Sequence, residues 1–217
     1  SQVLQVLRLW KFSENAFRTN VTPRDAAFVL SDTLGKPTPD VWWAVLPCHP
    51  AIWRAGRASL GLVATRTGVV TVSRHTRRYP AVFEFFSSWV RQAWPLAPPF
   101  PFTSISVNYN YAARTHRDSG NVGPSLTRSF GTFHGGSLKY WCQDDGGLSL
   151  EELEQQFSAT VLETGRALCL FDGRRAHSVA PFSGGARYSL GLFCASAFSR
   201  ARAVVVAFLS SVGGHVP

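Results

Sequence analysis

The chain has 217 residues, of which 45% are hydrophobic and 16% charged, and carries a formal net charge of +9 at pH 7. That length suits one domain with a substantial core, and the apolar fraction excludes an intrinsically disordered chain. No apolar run approaches the roughly 20 residues of a membrane span and no basic-then-apolar segment opens the sequence, so no membrane partner is expected.

Thr22-Pro23-Arg24-Asp25 reads as a helix start with proline in the first turn, running to about Leu34 before Gly35. Leu60–Thr65 and Val69–Ser73 read as a hairpin turning near Thr67-Gly68. Ala81–Trp94 has helical apolar spacing that puts Val82, Phe85, Phe86, Trp89 and Val90 on one face. Pro95 to Pro101 is a proline-rich connector. The alternating, β-branched and aromatic run Ile105–Tyr111 is a strand, with Ser106, Asn108 and Asn110 on one face and Ile105, Val107, Tyr109 and Tyr111 on the other. Ser149-Leu-Glu-Glu152 has the form of a capping box for a short helix. Ala167–Phe171 and Arg187–Phe193 read as strands, and Ala203–Leu209 as a final helix or strand stopped by Gly213-Gly214. The whole of 1–217 is expected to form one domain: supporting helices and strands over 1–103, a core over 104–198 and a terminal element over 199–217.

Cys48, Cys142, Cys169 and Cys194 show no metal-binding spacing. They read as buried thiols of an intracellular, reducing compartment rather than a disulfide frame. The chain opens on Ser1 and contains no methionine, which reads as a trimmed piece of a longer protein, with any targeting sequence cut away.

Thr115-His116-Arg117-Asp118 follows the Ile105–Tyr111 strand, and His177 follows the next strand and an Asp172-Gly173 turn. Two histidines and one carboxylate, two of them one residue apart, make the facial triad that holds non-haem Fe(II) and leaves coordination positions open. A lone His-x-Asp is most often a surface turn; its placement at a strand end, with a second histidine beside another strand, favours the metal. Arg187 lies ten residues beyond His177. Alternation puts Arg187, Ser189, Gly191 and Phe193 on one face of that strand, with Tyr188, Leu190, Leu192 and Cys194 on the other. A planar, always-charged guanidinium beside a serine and a glycine suits the floor of a carboxylate pocket.

In its order of strand, His-x-Asp, glycine-rich hairpin, distal histidine and basic residue, the stretch from about Ile105 to Phe193 resembles the Fe(II)/2-oxoglutarate dioxygenase superfamily. Asn121–Ser125, Phe130–Leu138, Phe171–Phe182 and Gly185–Leu190 are similar to the branch containing TET and JBP oxygenases and their algal and protist relatives. The resemblance implies a mainly β fold with flanking helices around a double-stranded β-helix core of the jelly-roll or cupin kind. It assigns His116, Asp118 and His177 to iron and Arg187 to the distal carboxylate of 2-oxoglutarate, with dioxygen as cosubstrate and ascorbate as an alternative known among algal relatives. Ser189, Asn108 and Asn110 are further candidates for cosubstrate contact. An equal alternative for the asparagines is a solvated edge strand. Asn121, Ser125 and His134 are possible pocket contacts, for which loop polarity is an equal explanation.

The resemblance implies hydroxylation of a C–H bond, with the methyl group of 5-methylcytosine or thymine in nucleic acid favoured. A peptide or small-molecule hydroxylase of the same superfamily, and a non-catalytic interaction module, stand as alternatives. Nearly all the positive charge is arginine. Arg114, Arg117, Arg128, Arg174 and Arg175 lie near the candidate iron ligands in sequence, and Arg74, Arg77 and Arg78 form a second cluster. Phosphate neutralisation by such groups would give salt-dependent DNA binding; a GC-rich genome would also enrich arginine. A monomer in the nucleus is the expectation that accompanies the nucleic-acid reading.

Overall fold

The computed structural model describes residues 1–8, 56–65, 67–94, 96–214 and 216, and the chain divides into two units, Ser1–Arg54 and Ala55–Pro217. In the first, α1 covers residues 2–8. The helix expected from Thr22 and the thiol of Cys48 lie outside the described residues.

The second unit opens with the expected hairpin. β1 (Gly56–Ala64) pairs with β2 (Val70–Val72), Leu62 lying opposite Val72 and Ala64 opposite Val70. α2 (Arg74–Arg78) follows at once because the Ser73 hydroxyl accepts the Thr76 amide at 3.1 Å, satisfying one of the first-turn donors that a helix leaves unpaired. α3 (Pro80–Ala93) begins on a proline, whose missing N–H costs nothing at that position. Its buried residues are Val82, Phe83, Phe86, Ser87 and Val90, a stripe turned by part of a helical step from the expected one. Phe85 and Trp89 sit half-buried at its edges. Trp89 packs its ring against Phe130, 5.6 Å between centroids.

The remaining strands are β3 (Ser104–Tyr109), β4 (Asn121–Gly131), β5 (His134–Gly135), β6 (Leu138–Tyr140), β7 (Thr160–Leu162), β8 (Cys169–Phe171), β9 (His177–Val179), β10 (Phe182–Ser183) and β11 (Arg187–Ala195). Of the eleven described strands, six form a sheet in the order β2-β1-β3-β11-β4-β8; β7-β6-β9 form a second and β10-β5 a third. Every pairing is antiparallel, so the described unit is mostly β with a few helices. In the large sheet Leu60, Ile105, Leu126, Leu190 and Leu192 are fully buried. Each such aliphatic side chain contributes about 1.5–3 kcal/mol on leaving water. The strand expected to reach Tyr111 stops at Tyr109, because Asn110 takes φ 45°, a left-handed conformation that breaks the extended run.

α4 (Leu150–Gln156) carries the expected capping box: Ser149 accepts the Glu152 amide at 3.2 Å and Glu152 accepts the Ser149 amide at 2.9 Å. Its Leu153 packs with Trp141 and Ala176 in a small core of its own. The terminal element is a helix, α5 (Ala203–Ser211), entered through a 3-10 turn at Ser196–Arg200. Cys142 is exposed, and Cys169 and Cys194 are only half-buried, not the buried thiols expected. Cys169 lies on the edge strand β8, and Cys194 follows an irregularity in the β11 pairing. No described helix is long and apolar enough to cross a membrane.

Candidate active site

Two separate pieces of chain bring the triad together. His116 and Asp118 sit on the loop after β3, and His177 opens β9. An isolated antiparallel bridge joins them: the His116 amide donates to the His177 carbonyl and the His177 amide to the His116 carbonyl, each at 3.0 Å. The Asp118 amide donates to the Gly173 carbonyl at 2.8 Å. One ligand atom from each of the three residues lies within 4.8 Å of the others. His116 Nε2 is 3.5 Å from Asp118 Oδ1, and His177 Nε2 is 3.7 Å from Asp118 Oδ2.

The hydrogen bonds behind the rings fix their tautomers. His116 Nδ1 lies 2.8 Å from the Arg114 carbonyl and His177 Nδ1 lies 2.9 Å from the Arg175 carbonyl. A carbonyl can only accept, so each Nδ1 carries hydrogen and Nε2 is left as the ring atom facing Asp118, the arrangement typical of metal-bound imidazole. Burial, reinforced by His116 alongside, lowers the pKa of His177 below the usual histidine value. That favours the neutral ring a metal requires. Donor distances of 3.5 and 3.7 Å are slightly wider than the ~3 Å that ~2.1 Å metal bonds at right angles imply. Two imidazoles and a carboxylate on one face fit Fe(II) with open positions.

These ligands face a cavity of about 110 Å³, which the large sheet lines with Ser106 and Asn108 of β3, Thr127 of β4, and Arg187, Ser189, Gly191 and Phe193 of β11. The face expected of β11 is therefore the one that lines it. The volume is several times one water's share of liquid, room for a small organic acid. Register explains the grouping, since Ser189 is directly opposite both Asn108 and Ser129.

Arg187 is 2% exposed. Its Nη2 donates to Ser129 Oγ and to the Gly136 carbonyl, both at 2.9 Å, and its Nε has no acceptor. The guanidinium lies 5.5 Å from the Phe133 ring centre and 5.3 Å from that of Phe182. Among the described residues no carboxylate pairs with it, and burial pushes its pKa down to about 10. It is charged at neutral pH, enclosed and incompletely bonded, which is costly unless an anion completes the site. Gly136 makes this placement possible: at φ 73°, its backbone sits so close that a Cβ would lie 2.7 Å from Arg187 Nε.

The asparagines separate. Asn108 lines the cavity, donating weakly to Ser106 Oγ at 3.4 Å and Ser189 Oγ at 3.5 Å, with its buried Oδ1 unpartnered. Asn110 does not line it. With the strand broken there, its Oδ1 accepts the Arg187 amide and its own amide donates to the Arg187 carbonyl, both at 2.8 Å. It anchors the start of β11 instead. Asn121 and Ser125 line the cavity, and the Asn121 Nδ2 reaches Asp118 Oδ2 at 3.3 Å; His134 is exposed on β5, away from it.

The arginines near the ligands in sequence go to different places. Arg117 is clamped by Asp144, Arg174 chelates Asp172 through Nε and Nη2 at 3.2 and 3.0 Å, and Arg175 donates to the Cys142 carbonyl. Arg128 points away from the cavity, because on β4 it alternates with Thr127 and shares the side of Phe130, whose ring centre is 5.7 Å away. Only Arg114 of the five is exposed along the groove beside the cavity, which also includes Glu151 and Glu154. The sequence offered no sign of Arg57: it lines the cavity with its guanidinium 4.9 Å from the Tyr111 ring centre. Its pairing with Asn108 across β1 and β3 is a matter of register between distant segments.

No family model matches the chain, and no curated protein matches it. Among solved structures it is similar to NgTET1 in complex with 5mC DNA, at 16% identity and a TM-score of 0.43 over 65% of this chain and 61% of that one. It is also similar to a 2OG-Fe(II) oxygenase family oxidoreductase from Burkholderia pseudomallei, at 13% identity and a TM-score of 0.44 over 68% and 71% of the two chains. A third is OsALKBH1, at 13% identity and a TM-score of 0.39 over 65% and 78%. The chain thus spans less than two thirds of the NgTET1 chain. These likenesses are distant.

Proposed function

We propose that this protein is an Fe(II)- and 2-oxoglutarate-dependent dioxygenase, built on a double-stranded β-helix, that hydroxylates a substrate C–H bond. One observation carries the reading: a tautomer-fixed His116, Asp118, His177 triad shares its cavity with Arg187, a buried cation with no acidic partner among the described residues. When bound, Fe(II) with 2-oxoglutarate and dioxygen supplies the oxidation: the keto acid leaves as succinate and carbon dioxide, one oxygen atom entering succinate and the other the substrate.

The chain's own contribution is binding and orientation. His116 and His177 offer Nε2 lone pairs and Asp118 a carboxylate. Arg187 grips the distal carboxylate of the keto acid by charge-assisted hydrogen bonds, while Phe133 and Phe182 keep water from its guanidinium and so strengthen the attraction. Ser189 and Asn108 stand beside it, the Asn108 Oδ1 open to a donor. Ascorbate lacks the carboxylate that such a cation selects, so Arg187 favours 2-oxoglutarate.

The substrate reading is the methyl group of a modified pyrimidine in nucleic acid, supported by the net charge of +9 and by exposed Arg57 and Arg114 beside the cavity. A base in a duplex must be flipped out to reach such a cavity. A second reading, a cationic peptide, is favoured by Glu151 and Glu154 in the adjoining groove. Succinate should be measured with Fe(II) and 2-oxoglutarate, with and without 5-methylcytosine DNA, alongside nucleoside mass spectrometry and ascorbate-only controls. DNA-stimulated succinate with a modified base supports the first reading. Stimulation by basic peptides and not by DNA replaces it with the second, and no succinate under any condition refutes the dioxygenase.

A further inference from the structure

Asp144 is 3% exposed and does not line the cavity, yet its carboxylate touches both pieces of chain that supply the triad. Oδ2 accepts Arg117 Nε at 2.7 Å and the Ala176 amide at 2.6 Å; Oδ1 accepts Arg117 Nη2 at 2.6 Å and the Gly146 amide at 3.0 Å. Arg117 is the residue between His116 and Asp118, and Ala176 immediately precedes His177. We propose that Asp144 is a positioning residue for the metal site, its one carboxylate setting the spacing between the segment bearing His116 and Asp118 and the segment bearing His177. The proposal rests on reading the triad as a metal centre.

Three features make this more than a buried ion pair. First, the contact is two-sided: a bidentate guanidinium fixes direction as well as distance, and the amide bond ties in the second segment independently. Second, both tied segments are held again from behind. Arg117 Nη2 also donates to the Leu148 carbonyl at 2.9 Å, and the Ala176 carbonyl accepts the Trp141 amide at 3.0 Å. Third, Ala176 is fully buried with Trp141 and Leu153, so the amide that Asp144 holds sits on a packed support. The Arg117 bond draws the Asp144 pKa down to about 2, which keeps the acceptor ionised in neutral solution.

The decisive measurement is Co(II) affinity, read from the visible absorption bands of the ion as a spectroscopic stand-in for Fe(II), in wild type, Asp144→Asn, Asp118→Ala and Val90→Ala. Partners that orient metal ligands typically change affinity by about tenfold to a hundredfold. Asp144→Asn is expected to weaken Co(II) binding by that factor and shift the bands while circular dichroism shows a folded protein. Val90→Ala, a core truncation on α3, should lose stability without either change. Unaltered affinity and bands in folded Asp144→Asn overturn the positioning role and leave the metal centre standing. A wild type that binds Co(II) no better than Asp118→Ala overturns both. Should Asp144→Asn not fold, Arg117→Lys takes its place, since it removes the bidentate contact but leaves the Ala176 amide bonded; weakened binding supports the proposal and unchanged binding refutes it.

Discussion

Replacing Arg187 by methionine separates what the cation costs the empty protein from what it gives a ligand. Burial lowers its pKa to about 10, which at 1.36 kcal/mol per pH unit is a penalty of ~3 kcal/mol on the charged form. Methionine is similar in length, apolar, and removes that penalty. It also removes the bonds to Ser129 Oγ and Gly136 O, each worth about 1.5–3 kcal/mol with a charged donor. The two effects oppose, so the ligand-free protein should lose no more than about 3 kcal/mol of stability. Binding of 2-oxoglutarate has no such compensation. Losing the charge-assisted contacts to its carboxylate costs about 3 kcal/mol or more, over a hundredfold in affinity. Differential scanning fluorimetry reads both quantities. At about 100 times its Kd, 2-oxoglutarate should stabilise the metal-loaded wild type by ~2.7 kcal/mol, or about 5–10 °C in Tm; Arg187→Met should show almost none of this. An intact rise in the variant would refute the carboxylate assignment, and a large loss of stability without ligand would refute the account of the buried charge.

His116→Ala and Asp118→Ala should each abolish metal-dependent succinate formation; retained turnover in either would exclude that residue as a ligand. Gly136→Ala should impair 2-oxoglutarate binding while sparing the metal, because the added Cβ meets Arg187 Nε and not the triad; KM measurement for the keto acid checks this. Asp144 links stability to acid pH. Its folded pKa is about 2 against an ordinary 3.8, so its contribution, ~2 kcal/mol, is complete above about pH 4 and drains away as pH falls toward 2. In urea unfolding across that window, the difference between wild type and Asp144→Asn should shrink with acidity; a constant difference would sink the assignment. Phe86→Ala, truncating a fully buried ring of α3, should cost about 3–5 kcal/mol, measured by the same unfolding.

The parts of the site that the sequence revealed are those encoded locally. One intervening residue separates His116 from Asp118, and a two-residue period places Arg187, Ser189, Gly191 and Phe193 on one face of β11, so both could be read from a short window. The Ser149 capping box is equally local. What stayed hidden depends on pairing between distant segments. Arg57 enters the cavity through its register with Asn108. The partner of Arg117 lies 27 residues away, and a positive charge does not announce whether it faces solvent or a carboxylate. Asn110 shows the opposite failure: alternation was the right rule, but a single left-handed residue ended the strand before the rule reached it. Of the N-terminal helix expected from Thr22, nothing is described.

The bridge between His116 and His177 has a kinetic consequence. Each imidazole's own peptide group is bonded to the other's, so the segments cannot peel apart one ligand at a time. A fluctuation that opens the bridge disturbs two of the three donors together. If these residues hold the proposed metal, its escape would be a cooperative local unfolding event rather than a series of ligand rotations, and its rate should follow hydrogen exchange at these two amides. The backbone would thereby give such a centre a residence time that the three side chains alone would not set.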